Sequence, residues 1–306
     1  MKNCFEVDFV VLWVDGSDPE FVSVRNAWAA RLGRGVPAGA RFVQSDELRY
    51  VLRGVDRFLP WVTRVVLVTN GQRPAWLNSC HPRLKILTHR EFLPTDALPT
   101  FNSCAIAAGL MRWQGLAEHF LLANDDTFIF RPLPRSYFFP RETCAVNYFS
   151  CYPDKDYACS EYGRQLLLLR RRLQNKFPNT DFPLEPHHNI SGYVRSACLT
   201  ARSLFEAEFS ATECSHFRQT DNCNCYLFAG VSAVLGKAVW RPTRKSRWFG
   251  SDGMVWELWQ DYAREIQKYR PRLVCLNDSD RSSMQDRERL NNYLQRTFPW
   301  KSSFEI

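Results

Sequence analysis

Short apolar runs halted by clusters of small polar residues restrict the fold of this chain more than any other feature. Residues 5–14 run into Asp15-Gly16-Ser17-Asp18-Pro19, residues 64–69 into Asn70-Gly71-Gln72, and residues 119–123 into Asn124-Asp125-Asp126. A fourth run covers residues 85–88. Runs of this length, rich in β-branched and aromatic residues, read as buried strands closed by turns. Residues 45–58 read as a helix: Ser45 can cap it, Leu48, Val51, Leu52 and Val55 form one apolar stripe, and Arg49 and Arg53 stand four apart. Residues 103–116 also read as helical. The order strand, helix, strand, strand, helix, strand predicts an α/β sheet. Such sheets gather ligands at the carboxyl ends of their strands, which is where the polar clusters fall.

The second half has a different texture. Residues 131–139 are rich in proline and aromatics and read as irregular, whereas 161–177, 193–209 and 255–269 read as helices. The expectation is one catalytic unit over 1–306, with an α/β nucleotide-binding part over 1–131 and a helical insertion and C-terminal part over 132–306 that completes the site. With 306 residues, of which 45% are hydrophobic, the chain can bury a sizeable core. Disorder and a disulfide mini-scaffold are excluded. No apolar run reaches the ~18–20 residues that span a bilayer. Glu6 and Asp8 leave no signal-peptide core near Met1. The expected location is the cytoplasm, at the inner face of the membrane. Eleven scattered cysteines are then expected to be reduced thiols. The net charge of +8 favours anionic partners, among them phosphorylated polymers and a membrane surface met peripherally.

Among the candidate chemical groups, Asn124-Asp125-Asp126 is the sharpest. Two adjacent carboxylates at a strand end cannot both be buried and ionised without a cation or a shared proton, and hard oxygen ligands suit Mg²⁺ or Mn²⁺ on a diphosphate. Asp15 and Gly16 offer an acid and a close backbone approach. Asn70, Gly71 and Gln72 offer amides, and each of these clusters also makes an ordinary turn. A histidine such as His188 can act as a general base at neutral pH, and an arginine such as Arg218 can neutralise phosphate charge. Cys214, His216, Cys223 and Cys225 are metal-like in type, but their spacing is not that of paired zinc knuckles, so thiols are expected there. Trp240, Arg241, Arg244, Lys245, Arg247, Trp248 and Phe249 interleave rings and cations. Stacking and charge of this kind suit a sugar-phosphate chain or a nucleic acid.

Taken in order, these segments resemble the Stealth family of sugar-1-phosphate transferases, which includes bacterial capsular polysaccharide phosphotransferases. The first family block is similar to residues 8–19. The second is similar to residues 46–53, then Val68 to Gln72, then residues 98–103, then Asn124-Asp125-Asp126. The third is looser and runs from His188 to Arg218 and Asp221, and the fourth is similar to Cys275-Leu276-Asn277-Asp278. Two departures stand out. Ala107 occupies a position where the family usually has Glu, and Ile190 one where it usually has Pro. The spacing to Arg218 favours His188 over His187.

The resemblance implies a Rossmann-like, GT-A-like nucleotide-sugar transferase core. It also implies a UDP-sugar donor, Mg²⁺ or Mn²⁺, and a glycan or growing phosphodiester polymer as acceptor, with no nucleic acid. Asp125 and Asp126 would hold the metal. Asp126, His188 and Arg218 would carry catalysis, His188 as base and Arg218 as phosphate clamp. Asp15, Gly16, Arg49, Asn70, Gly71, Gln72, Asn102, Asn124, Asp221, Asn277 and Asp278 would contact substrate. The product would be a hexose-1-phosphate diester, N-acetylglucosamine-1-phosphate for example, with release of UMP. The alternatives are a metal-dependent glycosyltransferase that releases UDP, and an inactive polysaccharide-binding relative.

Overall fold

The computed structural model describes residues 5–35, 42–43, 45–150, 156–242 and 254–306. In chain order the strands and helices are β1 (Val7–Leu12), α1 (Pro19–Arg31), α2 (Glu47–Phe58), β2 (Arg64–Thr69), β3 (Leu84–Thr88), α3 (Ser103–Gly109), β4 (His119–Asn124), β5 (Thr127–Ile129), α4 (Arg135–Phe138) and β6 (Ala145–Ser150). They continue with α5 (Glu161–Lys176), β7 (Glu185–Pro186), β8 (Ser191–Val194), α6 (Arg195–Leu204), α7 (Glu206–Glu213), α8 (Cys225–Val234), β9 (Ala238–Pro242), β10 (Met254–Glu257), α9 (Tyr262–Tyr269), β11 (Leu273–Asn277) and α10 (Met284–Thr297).

The main sheet has the order β3-β2-β1-β4-β8. Its first four strands are parallel, and β8 closes one edge antiparallel to β4. Side chains alternate faces along each strand. Phe9, Val11, Leu67 and Leu121 pack on one side with Leu48, Val51, Leu52 and Val55 of α2. Val10, Val66, Val68 and Phe120 pack on the other with Leu166 and Leu169 of α5 and Phe228 of α8. Apolar residues on both faces make β1, β2 and β4 continuous hydrophobic runs, as a sheet covered on both sides requires. Strand order reverses between β1 and β4. That creates a switch-point crevice at their carboxyl ends, flanked by Asp15 and by Asn124-Asp125-Asp126.

Several expected elements take other forms. The segment 193–209 divides: Tyr193 and Val194 belong to β8, where Tyr193 stacks on Phe120 at 5.4 Å, and the helix α6 starts at Arg195. The segment 255–269 divides too. Trp256 lies in β10, and α9 starts at Tyr262 after Asp261, whose side chain accepts from the Arg264 N–H. Helix α3 stops at Gly109 and passes into a 3₁₀ turn at Leu110–Arg112. Ser45 does not cap α2. Asp46, in a left-handed conformation with φ of 62°, precedes the helix, and the Ser45 N–H donates to Glu47 Oε2 at 2.6 Å.

The second half is therefore not simply helical, since it forms the three-stranded sheet β7-β6-β9 and supplies β10 and β11 to another, β10-β11-β5, that β5 of the first part completes. Period alone cannot separate a four-residue strand from a buried helical turn. Helix α1 lacks a clear apolar stripe, yet Asp18 caps it by accepting from the Glu20 N–H and Pro19 fits its first turn.

Candidate functional site

The Asp125–Asp126 turn links two sheets. β4 ends at Asn124, β5 begins at Thr127 and pairs with β11, and the Leu276 N–H donates to the Asp126 carbonyl at 3.0 Å. The same pairing sets Cys275 opposite Thr127 and brings its thiol to Asp126, where Sγ donates to Oδ2 at 3.5 Å. His188 arrives on the segment between β7 and β8. One potential ligand atom from each of Asp126, His188 and Cys275 lies within 4.8 Å of the other two. Asp126 Oδ1 is buried and has no hydrogen-bond partner. A buried carboxylate oxygen without a donor is costly unless an ion or ligand supplies one.

The electrostatics of this spot point the same way. Burial raises the Asp126 carboxyl above the usual carboxylate range, and the facing His188 pulls it back. Glu47, at the first turn of α2, is nine-tenths buried, and its pKa is pushed up to about 8, by burial first and then by the neighbouring Asp125 and Asp126. Three carboxyl groups therefore share one low-dielectric corner, an arrangement that a cation relieves. Burial also pushes the Cys275 thiol well above its ordinary range, so it stays protonated and acts as a donor to Oδ2. Oδ1 of Asp126 then remains as a hard oxygen donor, with the Asp125 carboxyl beside it in the same turn. These residues fit a divalent cation of the Mg²⁺ or Mn²⁺ type better than a soft one. Glu47 escapes sequence reasoning because a first-turn acid ordinarily faces water, and Cys275 because nothing in its spacing ties it to residue 126.

Two cavities open beside the switch point. The larger, of about 860 Å³, is lined by Asn70, Gly71 and Gln72 after β2, by Asp18 and Phe21, and by Leu98 to Phe101. The smaller, of about 200 Å³, is lined by Leu12 and Asn124 at the ends of β1 and β4, by His188, and by Arg218. Arg218 is pinned there by a hydrogen bond from its guanidinium to the Ser103 hydroxyl.

Other candidate residues have local partners. The Asp15 carboxylate accepts from the Ser17 N–H and hydroxyl at 2.9 and 2.6 Å. Gln72 accepts from the Asp15 N–H and donates to the Asp15 carbonyl and to Asp18 Oδ2, so it ties two loops together. The Gln72 hydrogen bond, followed by that from the Glu20 N–H, lowers the Asp18 pKa. A Cβ on Gly16 would meet the Phe42 carbonyl at 1.9 Å, so its smallness admits the chain's own backbone. Gly71, with φ of 118°, turns the chain after β2, and the Asn70 side chain accepts from the Gln72 N–H.

Arg49 pairs with Asp46 at 3.3 Å and lies over the Trp76 ring. Asn102 is fully buried, caps α3 through the Cys104 N–H and donates to the Asn222 side chain at 2.7 Å. The Asp221 side chain is exposed, and its carbonyl accepts from Arg172. Asn277 donates to Glu257 at 2.9 Å, and Asp278 receives two bonds from Arg287. Cys214 is exposed, Cys223 is buried, and His216 packs against Trp28. Of the basic and aromatic segment, Trp240 and Arg241 lie on β9, while Arg244, Lys245, Arg247, Trp248 and Phe249 lie outside the described residues.

Comparison with known proteins matches residues 5–33, 41–146 and 264–306 to conserved regions 1, 2 and 4 of Stealth proteins. A capsular polysaccharide phosphotransferase of Streptococcus thermophilus is 38% identical over 175 residues, covering 56% of this chain and 73% of the relative. An exopolysaccharide phosphotransferase of Streptomyces coelicolor is 46% identical over 147 residues, 48% of this chain and 25% of the relative. An exopolysaccharide phosphotransferase of Mycobacterium tuberculosis is 32% identical and covers 98% of this chain and 58% of the relative. The chain thus spans from a quarter to about three quarters of the length of these relatives.

Proposed function

The chain belongs to the Stealth family, and we propose that it transfers a hexose-1-phosphate from a UDP-sugar to a hydroxyl of a glycan, releasing UMP. The observation that carries this reading is the unpartnered, buried Asp126 Oδ1 facing His188, at the crevice where a parallel sheet receives a nucleotide. The large cavity after β2 suits the uridine, and the diphosphate would then cross the ends of β1 and β4. The relatives are named as capsular and exopolysaccharide phosphotransferases, which supports the reaction class. The nucleotide-sugar transferase form of the fold, GT-A-like, belongs to the same proposal. So does a place at the inner face of the membrane, where a basic chain meets an anionic polymer. No helix among the described residues is long and apolar enough to cross a membrane.

In this reading the acceptor oxygen attacks the phosphorus that carries the sugar. His188 accepts the hydroxyl proton at an imidazole nitrogen. The bond between that phosphorus and the bridging oxygen breaks, and UMP departs with the electron pair. The sugar–oxygen bond is untouched, so anomeric configuration is retained. Arg218 neutralises charge on the phosphoryl group. A divalent cation held by Asp125 and Asp126 would supply charge neutralisation on the diphosphate.

The leaving nucleotide tests the proposal. Incubation with UDP-sugars, Mg²⁺ or Mn²⁺ and an oligosaccharide acceptor should release UMP and form a phosphodiester. Release of UDP would identify a glycosyltransferase instead, and no turnover of any UDP-sugar would identify a binding protein.

A further inference from the structure

The loop that carries Arg218 is held at both of its ends by buried side chains. Asn102, fully buried at the start of α3, donates from Nδ2 to the Ser215 carbonyl at 3.0 Å and to the Asn222 side chain at 2.7 Å. One amide group thus bridges the two ends of residues 215–222. Asn222 Oδ1 also accepts from the Gln219 N–H at 3.0 Å, and the Ser215 hydroxyl donates to the Phe217 carbonyl at 2.8 Å, so the span is braced from inside. From α5, Gln165 donates to the Asn222 carbonyl at 2.8 Å and Arg172 to the Asp221 carbonyl at 2.9 Å. A buried polar network of this kind holds one geometry.

The same stretch of chain builds a wall of the large cavity. Leu98 to Phe101 line it, and they are bonded to the Arg218 loop. The Phe101 N–H donates to the His216 carbonyl at 2.8 Å, the His216 ring donates from Nδ1 to the Pro99 carbonyl at 2.6 Å, and Phe101 stacks on Phe217 at 5.1 Å. Ser103, the residue after Asn102, receives the hydrogen bond from the Arg218 guanidinium. A hydroxyl steers that group without neutralising its charge. Asn102 itself lines neither cavity. It stands between them, joining the wall of the larger to the loop that brings Arg218 to the smaller.

Resting on the reading of Arg218 as the phosphate clamp, we propose that Asn102 is a positioning residue for the transfer. It fixes residues 215–222 against the wall of the nucleotide cavity, so that Arg218 is placed in advance for the phosphoryl group that carries the sugar. Asn102 touches no donor in this arrangement and acts through Arg218 alone. Placement of this kind has a large effect, since a displacement of about 1 Å at a clamp can cost ~10²-fold in rate.

The test compares UDP with UMP, which lacks the second phosphate, by calorimetry with Mg²⁺ present. The variants are Arg218→Ala, Asn102→Ser and the two combined, and amide hydrogen exchange is followed on the same proteins. Serine keeps a capping hydroxyl for the Cys104 N–H but is too short to reach residues 215–222. Asn222→Leu, which removes the acceptor on the loop itself, should match Asn102→Ser and serves where that variant does not fold. The wild type should bind UDP more tightly than UMP. Arg218→Ala should reduce that advantage by about ten- to a hundredfold, the worth of a charged hydrogen bond. Asn102→Ser should reduce it by about three- to tenfold with UMP affinity kept, and should cost nothing further once Arg218 is gone. Exchange should quicken in residues 215–222 and stay slow in β1, β2 and β4. An advantage unchanged in Asn102→Ser overturns the positioning role. So does an equal loss for UMP, which marks a general loss of structure, and so does a loss that multiplies with that of Arg218→Ala, which marks a separate action. An advantage that survives Arg218→Ala removes the clamp and this role with it. If the wild type does not prefer UDP, the transfer reading fails and exchange alone decides. Faster exchange in the loop then keeps Asn102 as its anchor, and unchanged exchange overturns it.

Discussion

At the scale of single residues, Asp126 is the group on which the proposed site depends. Replacing it by Asn keeps the shape and removes the charge. Asp126→Asn should abolish turnover, with a melting temperature within a few degrees of the wild type, because the carboxylate is strained and not stabilising where it sits. Wild-type turnover by this variant would exclude the assigned role. His188→Ala should lower kcat by roughly 10²–10⁴ with little change in donor KM, since the proton moves only in the transition state. His187→Ala is the control for register, because burial holds its pKa at about 4 and leaves it a poor base at neutral pH.

Glu47 gives a stability signature. Its pKa is about 8 in the fold against an ordinary 4.5. Between these values the fold keeps a proton that the unfolded chain has lost, so stability falls as pH rises through that window. Glu47→Gln removes this slope. Its melting temperature should climb relative to the wild type as pH rises, with a gain of ~2–4 kcal/mol at the upper end in chelator-treated protein. A difference that stays constant with pH would refute the buried, protonated state.

At the scale of elements, the site is held by how α2 meets β5. A Cβ on Gly54 in α2 would come within 2.9 Å of the Ile129 carbonyl of β5, which follows the Asp125–Asp126 turn. Gly54→Ala should therefore push β5 and cost ~1–3 kcal/mol, read as a lower denaturation midpoint, with a loss of activity larger than the stability change alone explains. The β5–β11 pairing explains why the fourth family block matters although Asn277 and Asp278 spend their side chains on Glu257 and Arg287. What that block delivers is Cys275 beside Asp126 and a backbone bond to the Asp126 carbonyl.

At the scale of the whole molecule, the C-terminal end locks onto the first half. Arg53 of α2 donates to the Phe298 carbonyl at 2.6 Å and forms a two-pronged pair with Glu305 at 2.8 and 2.7 Å. Both side chains are nearly buried. Arg53→Ala leaves the Glu305 carboxylate buried and unpaired, and should destabilise the fold by ~3–5 kcal/mol in denaturant unfolding. Burial acts to raise the Glu305 pKa, but its bonds to Arg53 and Ser302 and the Arg53 charge together outweigh this and leave it below the ordinary value. This stabilisation is therefore present above the ordinary glutamate pKa and is lost on acidification through the lowered one. His89 adds to acid sensitivity over a different window. Its pKa is held near 4 by burial, so stability falls as pH drops from its ordinary 6.5 towards 4.

The amino-acid order by itself determined the parallel core and its polar strand ends. Apolar runs at 64–69 and 119–123 must be buried on both faces, and a turn such as Asn124-Asp125-Asp126 can only follow them. The family blocks, read in order, determined the reaction class to expect. Local pattern could not settle the edges of the second half. Tyr193 and Trp256 lie in strands because neighbouring strands from distant sequence needed partners, a demand that no local period records. Only the tertiary structure decided that Glu47 turns inward beside Asp125 and Asp126, and that Cys275 and His188 meet Asp126. The same holds for Asn102, Asn277 and Asp278, which are spent on internal bonds. Such choices depend on which side chains are left unpaired once the sheets close, and a buried polar atom acquires its meaning only from the neighbours that packing gives it.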